Sequence, residues 1–164
     1  MPGYRSIDEL ADDLSRLKVT YDTEDLYAKY EAHGAKLNFR LLNSGEEYLN
    51  DASITLSFQA IEGIEVAAKI HRKHSGIVLV NHLDFQQFSK RSSYPDVSLT
   101  DGYYHITQYI GNIRHHILEE VVVNPIRLSI SRGLAGRKIN MLCKIFAENL
   151  TVPLEQTLDL EVAS

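Results

Sequence analysis

At 164 residues, with 44% hydrophobic and 24% charged side chains, the chain has the size and composition of one globular domain that buries a core without cross-links. Its formal net charge of −5 argues against polyanion binding by the molecule as a whole, and no apolar run approaches the roughly 20 residues of a membrane-spanning helix. A single cysteine, Cys143, excludes an intramolecular disulfide; together with an N-terminus that lacks an apolar signal core, it predicts a reducing, cytoplasmic setting.

Residues 1–34 read as a helical segment. Ser6 and Glu9 have the spacing of a capping box. Ile7, Leu10, Leu14 and Leu17 then follow at the three- and four-residue intervals of one apolar stripe. Val19-Thr20-Tyr21 predicts a break, after which Asp22 or Thr23 caps a second short helix carrying Leu26, Tyr27 and Tyr30 and ending near Gly34. Acids outnumber bases throughout, so the outer face is acidic. Two readings stand side by side: a helix packed on its own domain, or one that contacts another domain or subunit.

From residue 35 to 164 the signals are strands and turns. Leu37, Phe39 and Leu41 alternate with polar residues as one half-buried strand, followed by an Asn43-Ser44-Gly45 turn. Ile54, Leu56 and Phe58 mark a second strand, Glu62-Gly63 a turn, and 64–70 a third strand. Residues 77–80 form a short apolar run, and 81–95 read as a long polar loop. Val97 and Leu99, then Thr100-Asp101-Gly102, then 103–110 predict a hairpin with a glycine turn. Further strands are expected at 117–123, after Pro125 through Ile126, Leu128 and Ile130, and at 139–147 and 154–162, with a turn-rich connection at 132–137. Seven to nine antiparallel strands at this spacing predict a mostly β fold: an immunoglobulin-like β-sandwich with one or two N-terminal α-helices.

The first two strands and the last turn carry a resemblance. Asn43 and Gly45 make an Asn-x-Gly turn, and Ala147, Asn149 and Pro153 make an Ala-x-Asn-x-x-x-Pro turn; Gln59 departs from the pattern, which has proline there. Residues 35–162 thus resemble the accessory immunoglobulin- or fibronectin-like sandwich domains of bacterial proteins that carry an AlbA-type (Schlafen-like) nucleic-acid-binding domain. That domain itself is absent from this chain, so none of its binding residues carries over. The resemblance implies a sensing, scaffolding or partner-binding module.

Motifs for chemistry are sparse. His71 and His74, with His82 and Asp84 beyond, have metal-ligand residue types, but along a strand i and i+3 face oppositely, and Arg72 and Lys73 intervene. Gly133 to Lys138 lacks the frame of a phosphate-binding loop, no Gly-x-Ser-x-Gly elbow is present, and Cys143 sits in a strand-like apolar run that predicts a buried, inert thiol. No catalytic residue, cofactor or metal is assigned, and a metalloprotein or enzyme using the histidines of the 71–84 region stands as an alternative. Between Lys69 and Arg91 the chain holds five bases, Lys69, Arg72, Lys73, Lys90 and Arg91, against one acid, with Phe85, Phe88 and Tyr94 close in sequence. This composition suits a contact with a protein partner or, as the alternative, with single-stranded nucleic acid. Tyr103 and Tyr109 fall on one face of their strand and Tyr104 on the other, serving either recognition or the sheet edges. The expectation is a non-enzymatic, intracellular binding or assembly module, engaging a protein partner or a second copy through the basic segment and the N-terminal helix.

Overall fold

A computed structural model describes residues 6–73 and 93–163. Among them lie one α-helix, α1 (Ile7–Tyr27), and ten strands: β1 (Ala35–Leu37), β2 (Arg40–Leu42), β3 (Leu49–Gln59), β4 (Ile64–Val66), β5 (Asp96–Thr100), β6 (Tyr103–Ile113), β7 (Leu118–Glu120), β8 (Ile126–Ile130), β9 (Lys138–Phe146) and β10 (Leu154–Glu161). The strands form three antiparallel sheets, ordered β10-β9-β3-β6-β5, β1-β8-β4 and β2-β7. The protein is therefore mostly β with one N-terminal helix. Among the described residues no helix is long and apolar enough to cross a membrane.

Alternation builds the core. Ile54, Leu56 and Phe58 of the central β3 point inward, with Ile106 and Ile110 of β6 and Met141, Cys143 and Ile145 of β9. Ile64 and Val66 of β4 and Ile126 and Leu128 of β8 join the same cluster, so two of the smaller sheet's strands share one core with the five-stranded sheet. The opposite face of β3 is polar: Thr55 meets Thr107 at 3.1 Å, and Ser57 meets His105 at 2.9 Å. Tyr104 packs its ring 5.4 Å from Phe58, while Tyr103 is exposed and the Tyr109 hydroxyl donates to Asp51, so the two faces of β6 divide its tyrosines as the alternation predicts.

Local turn chemistry lands where the sequence puts it. Asp101 and Gly102 both take positive φ (53° and 78°), as a two-residue hairpin turn between right-twisted strands requires. The Asn43 side chain accepts from the Gly45 N–H at 3.0 Å and donates to the Glu47 carbonyl, closing the predicted turn. Asn149 donates to the Tyr48 carbonyl and accepts from the Asn50 N–H, tying the last turn to the start of β3.

Four expectations are corrected. The helix does not break at Val19-Thr20-Tyr21: α1 runs through it, with the Thr20 and Thr23 hydroxyls turned back onto the carbonyls of Arg16 and Val19 within the helix. Residues 37–42 are not one strand; Asn38 takes the Phe39 N–H with its own side chain, and the chain crosses from the β8 sheet to the β7 sheet. The strand expected at 64–70 stops at Val66, where the chain leaves its ladder toward His71. The strand expected at 117–123 shortens to Leu118–Glu120, and Val121 and Val122 are buried beyond its end.

Candidate functional site

Two features stand out: a helix with no buried residue, and the cluster that roots it. Ser6 and Glu9 complete the capping box, with the Glu9 N–H donating to Ser6 Oγ at 3.2 Å and the Ser6 N–H to Glu9 Oε2 at 2.9 Å. Asp8 and Glu9 also suit the positive end of the helix dipole. No residue of α1 is buried. Ile7 is 85% exposed, Leu14 69%, and Leu10 and Leu17 just over half, so the apolar stripe faces solvent instead of the sheets. Of the two readings of this segment, packing on its own domain holds for the root at Tyr30 and Glu31 and not for the stripe. Nine residues, two and a half turns, separate Leu17 from Leu26, so the stripe lies on the side opposite Leu26.

At its C-terminal end the helix widens into one π turn, Ala28–Ala32, where the His33 N–H bonds to the Ala28 carbonyl. The turn buries Tyr30 to 6% exposure. Gly34 follows because a Cβ there would sit 2.9 Å from Tyr30 Cα and C and closer still to its carbonyl oxygen.

Glu31, from the same turn, meets Arg127 of β8. Arg127 Nε lies 3.0 and 3.2 Å from the two carboxylate oxygens, and the two side chains are 10% and 9% exposed. The His71 N–H donates to Glu31 at 3.2 Å, and Lys36 Nζ lies 3.7 Å away. Arg127 also donates to the Pro125 carbonyl. Its backbone N–H donates at 3.0 Å to the Tyr94 hydroxyl, which donates at 3.0 Å to the Ala67 carbonyl. The His71 ring stacks on Tyr30 with centroids 5.3 Å apart. Beside it, Lys29 bonds to Glu65 at 2.6 Å and the Tyr30 hydroxyl donates to Glu65 at 3.3 Å. The root of α1 therefore holds Ala67, His71 and Tyr94 at one point.

The electrostatics follow from this packing. Burial pushes the Tyr30 and Tyr94 hydroxyls up, and burial, with Lys69 nearby, lowers His71. The hydrogen bond from Lys29 lowers Glu65, and the same bond raises Lys29. Burial raises the Cys143 thiol, so it stays protonated and is a packing residue, as its strand-like setting predicts.

Of the five predicted contact residues, Lys69, Arg72 and Lys73 are exposed where the chain leaves this root. Lys90 and Arg91 lie outside the described residues, as do His74, His82, Asp84, Phe85, Phe88 and the apolar run at 77–80. His71 turns its ring onto Tyr30. Among the described residues no group of three or more His, Cys, Asp or Glu side chains is placed to hold a metal ion. Sequence reasoning missed the Glu31–Arg127 pair. Its one local signal is a charged residue inside the apolar run of β8, where Arg127 is buried between Ile126 and Leu128. No family model, curated protein or solved structure matches this chain.

Proposed function

We propose that this chain is a non-enzymatic protein-binding or assembly module that docks through α1. The observation that carries the reading is a capped 21-residue helix with no buried residue and an apolar stripe open to solvent, fixed at its root by a buried ion pair. A helix of ordinary composition gains little stability from propensity alone, so a stripe left open in a rooted helix belongs to an interface. In this reading the sheets form a two-layer, immunoglobulin-like sandwich that acts as a scaffold. The likeness to accessory domains of bacterial AlbA-type proteins fits it, with Asn43 and Asn149 in turn-closing roles. The setting is cytoplasmic, as the single buried thiol suits.

The test is recovery of tagged chain from cells that express it, wild type beside a Leu10→Asp/Leu14→Asp variant. Proteins retained by the wild type and lost from the variant, untagged copies of the chain included, support the reading. Identical retained sets overturn it.

The exposure of Lys69, Arg72 and Lys73 favours a second reading, contact with a nucleic-acid backbone. Salt-sensitive retention on single-stranded nucleic acid, lost when the three are neutralised, supports it; no retention at low salt removes it.

A further inference from the structure

We infer that the occupant of the α1 stripe is a second copy of this chain, packed as a parallel, in-register, two-stranded coiled coil. The inference rests on the docking role proposed for α1 and names its partner.

The stripe has the narrow spacing of a coiled-coil seam. Ile7, Leu10, Leu14, Leu17 and Tyr21 fall alternately three and four residues apart, the a and d positions of a heptad repeat, and all five are more than half exposed. Glu24 occupies the next d position and ends the seam. Ile7 at a with Leu10 at d is the combination that favours two strands. The flanking charges choose the direction. Asp13 is at g and Lys18 at e of the next heptad, five residues on, the separation at which g of one helix meets e of a parallel, in-register partner. Two-fold symmetry makes that contact twice, Asp13 to Lys18 and Lys18 to Asp13. Antiparallel packing of the same seam pairs Leu14 with Leu17 and sets Lys18 beside Ala11 and Asp13 beside Thr20, with no opposite charges meeting. The helix is thus complementary to itself in one orientation.

The β10 edge does not offer the second copy an equal alternative. The edge strand β10 carries Glu155, Asp159 and Glu161 on one face, and antiparallel self-pairing brings these acids against one another.

The seam spans about 22 Å, short for a free-standing coil, and α1 is rich in aspartate and threonine, which are weak helix formers. Helix formation and pairing therefore go together, and the helicity of α1 rises with protein concentration.

The experiment uses the full chain. Sedimentation equilibrium and far-ultraviolet circular dichroism are measured together across a wide concentration range. The expected result is a monomer–dimer equilibrium with helicity rising in step, both lost in Leu14→Asp. Lys18→Asp puts like charges at both flanking contacts and weakens dimerisation about tenfold; adding Asp13→Lys restores it. Direction is read by cross-linking in a Cys143→Ala background. Leu17→Cys forms a disulfide-linked dimer under mild oxidation if the helices are parallel and in register. A chain that stays monomeric throughout overturns the second copy while leaving another protein free to dock on α1. A dimer that ignores the charge exchange and fails to link through Leu17→Cys overturns the parallel geometry. Failure of the docking role itself is read separately, by identical retained sets in the cell experiment.

Discussion

Replacing Glu31 by alanine removes the acceptor at the centre of the helix root. Among the described residues, Arg127 then keeps the Pro125 carbonyl and the face of Tyr94, whose ring centroid lies 5.6 Å from the guanidinium. Both partners are about nine-tenths buried, which puts this pair with those whose disruption costs about 3–5 kcal/mol, not with exposed pairs worth about 0–1 kcal/mol. Lys144–Glu155, with side chains 36% and 52% exposed, belongs to the second group. Some relief comes from Tyr94, so the expected loss is about 3 kcal/mol, or roughly 10 °C in Tm for a domain of this length. The assay is equilibrium unfolding in urea, read as a lower midpoint at unchanged slope. Replacing the pair together, Glu31→Leu with Arg127→Met, removes the stranded charge and recovers most of the loss. A Glu31→Ala loss below about 1 kcal/mol, or a double variant as unstable as the single, would refute the reasoning, because the pair would then be behaving as a solvated one.

Three further outcomes are expected. Gly34→Ala forces its Cβ against the Tyr30 backbone and lowers stability by about 2 kcal/mol, checked by the same unfolding measurement on a variant that changes nothing else. Leu17→Asp, in a helix with no buried residue, leaves the unfolding midpoint of the sheets within about 0.5 kcal/mol of wild type in dilute solution, measured by tyrosine fluorescence. Glu65 has a lowered folded-state pKa, so its stabilisation is present above the ordinary carboxylate value of 4.5 and fades as pH falls through the folded value. Because the Glu65 side chain is 56% exposed, the advantage of wild type over Glu65→Gln is about 0.3 kcal/mol near neutrality and vanishes in acid, a pH-dependent gap that unfolding curves at several pH values resolve.

The elements legible in the sequence are those with local causes. β3, β9, β10 and the β5–β6 hairpin follow from alternation and from Asp101-Gly102, whose turn chemistry needs no distant partner. The Ser6–Glu9 cap is read from four consecutive residues. The misread elements depend on distance. The segment 64–70 leaves its ladder at Val66 and ends against partners some 40 residues away, Tyr30 and Glu31 at His71. Val121 and Val122 look like strand residues because they are apolar, yet it is the core that holds them. The Glu31–Arg127 pair joins residues 96 apart in the chain, and no spacing rule links them. The apolar stripe was plain in the sequence, but its exposure was not, since the same periodicity serves a helix packed inward or outward.

The π turn at Ala28–Ala32 has a consequence for aim. Such a turn is one residue added to an α-helix, and one residue corresponds to about 100° of rotation about the axis. The added residue therefore fixes the compass bearing of everything N-terminal to it. Deleting one residue here would leave the stripe, the cap and the sheets chemically intact while swinging the stripe by more than a quarter of a circle. The direction in which α1 presents itself is thus stored in a single backbone insertion, separate from the residues that would do the binding.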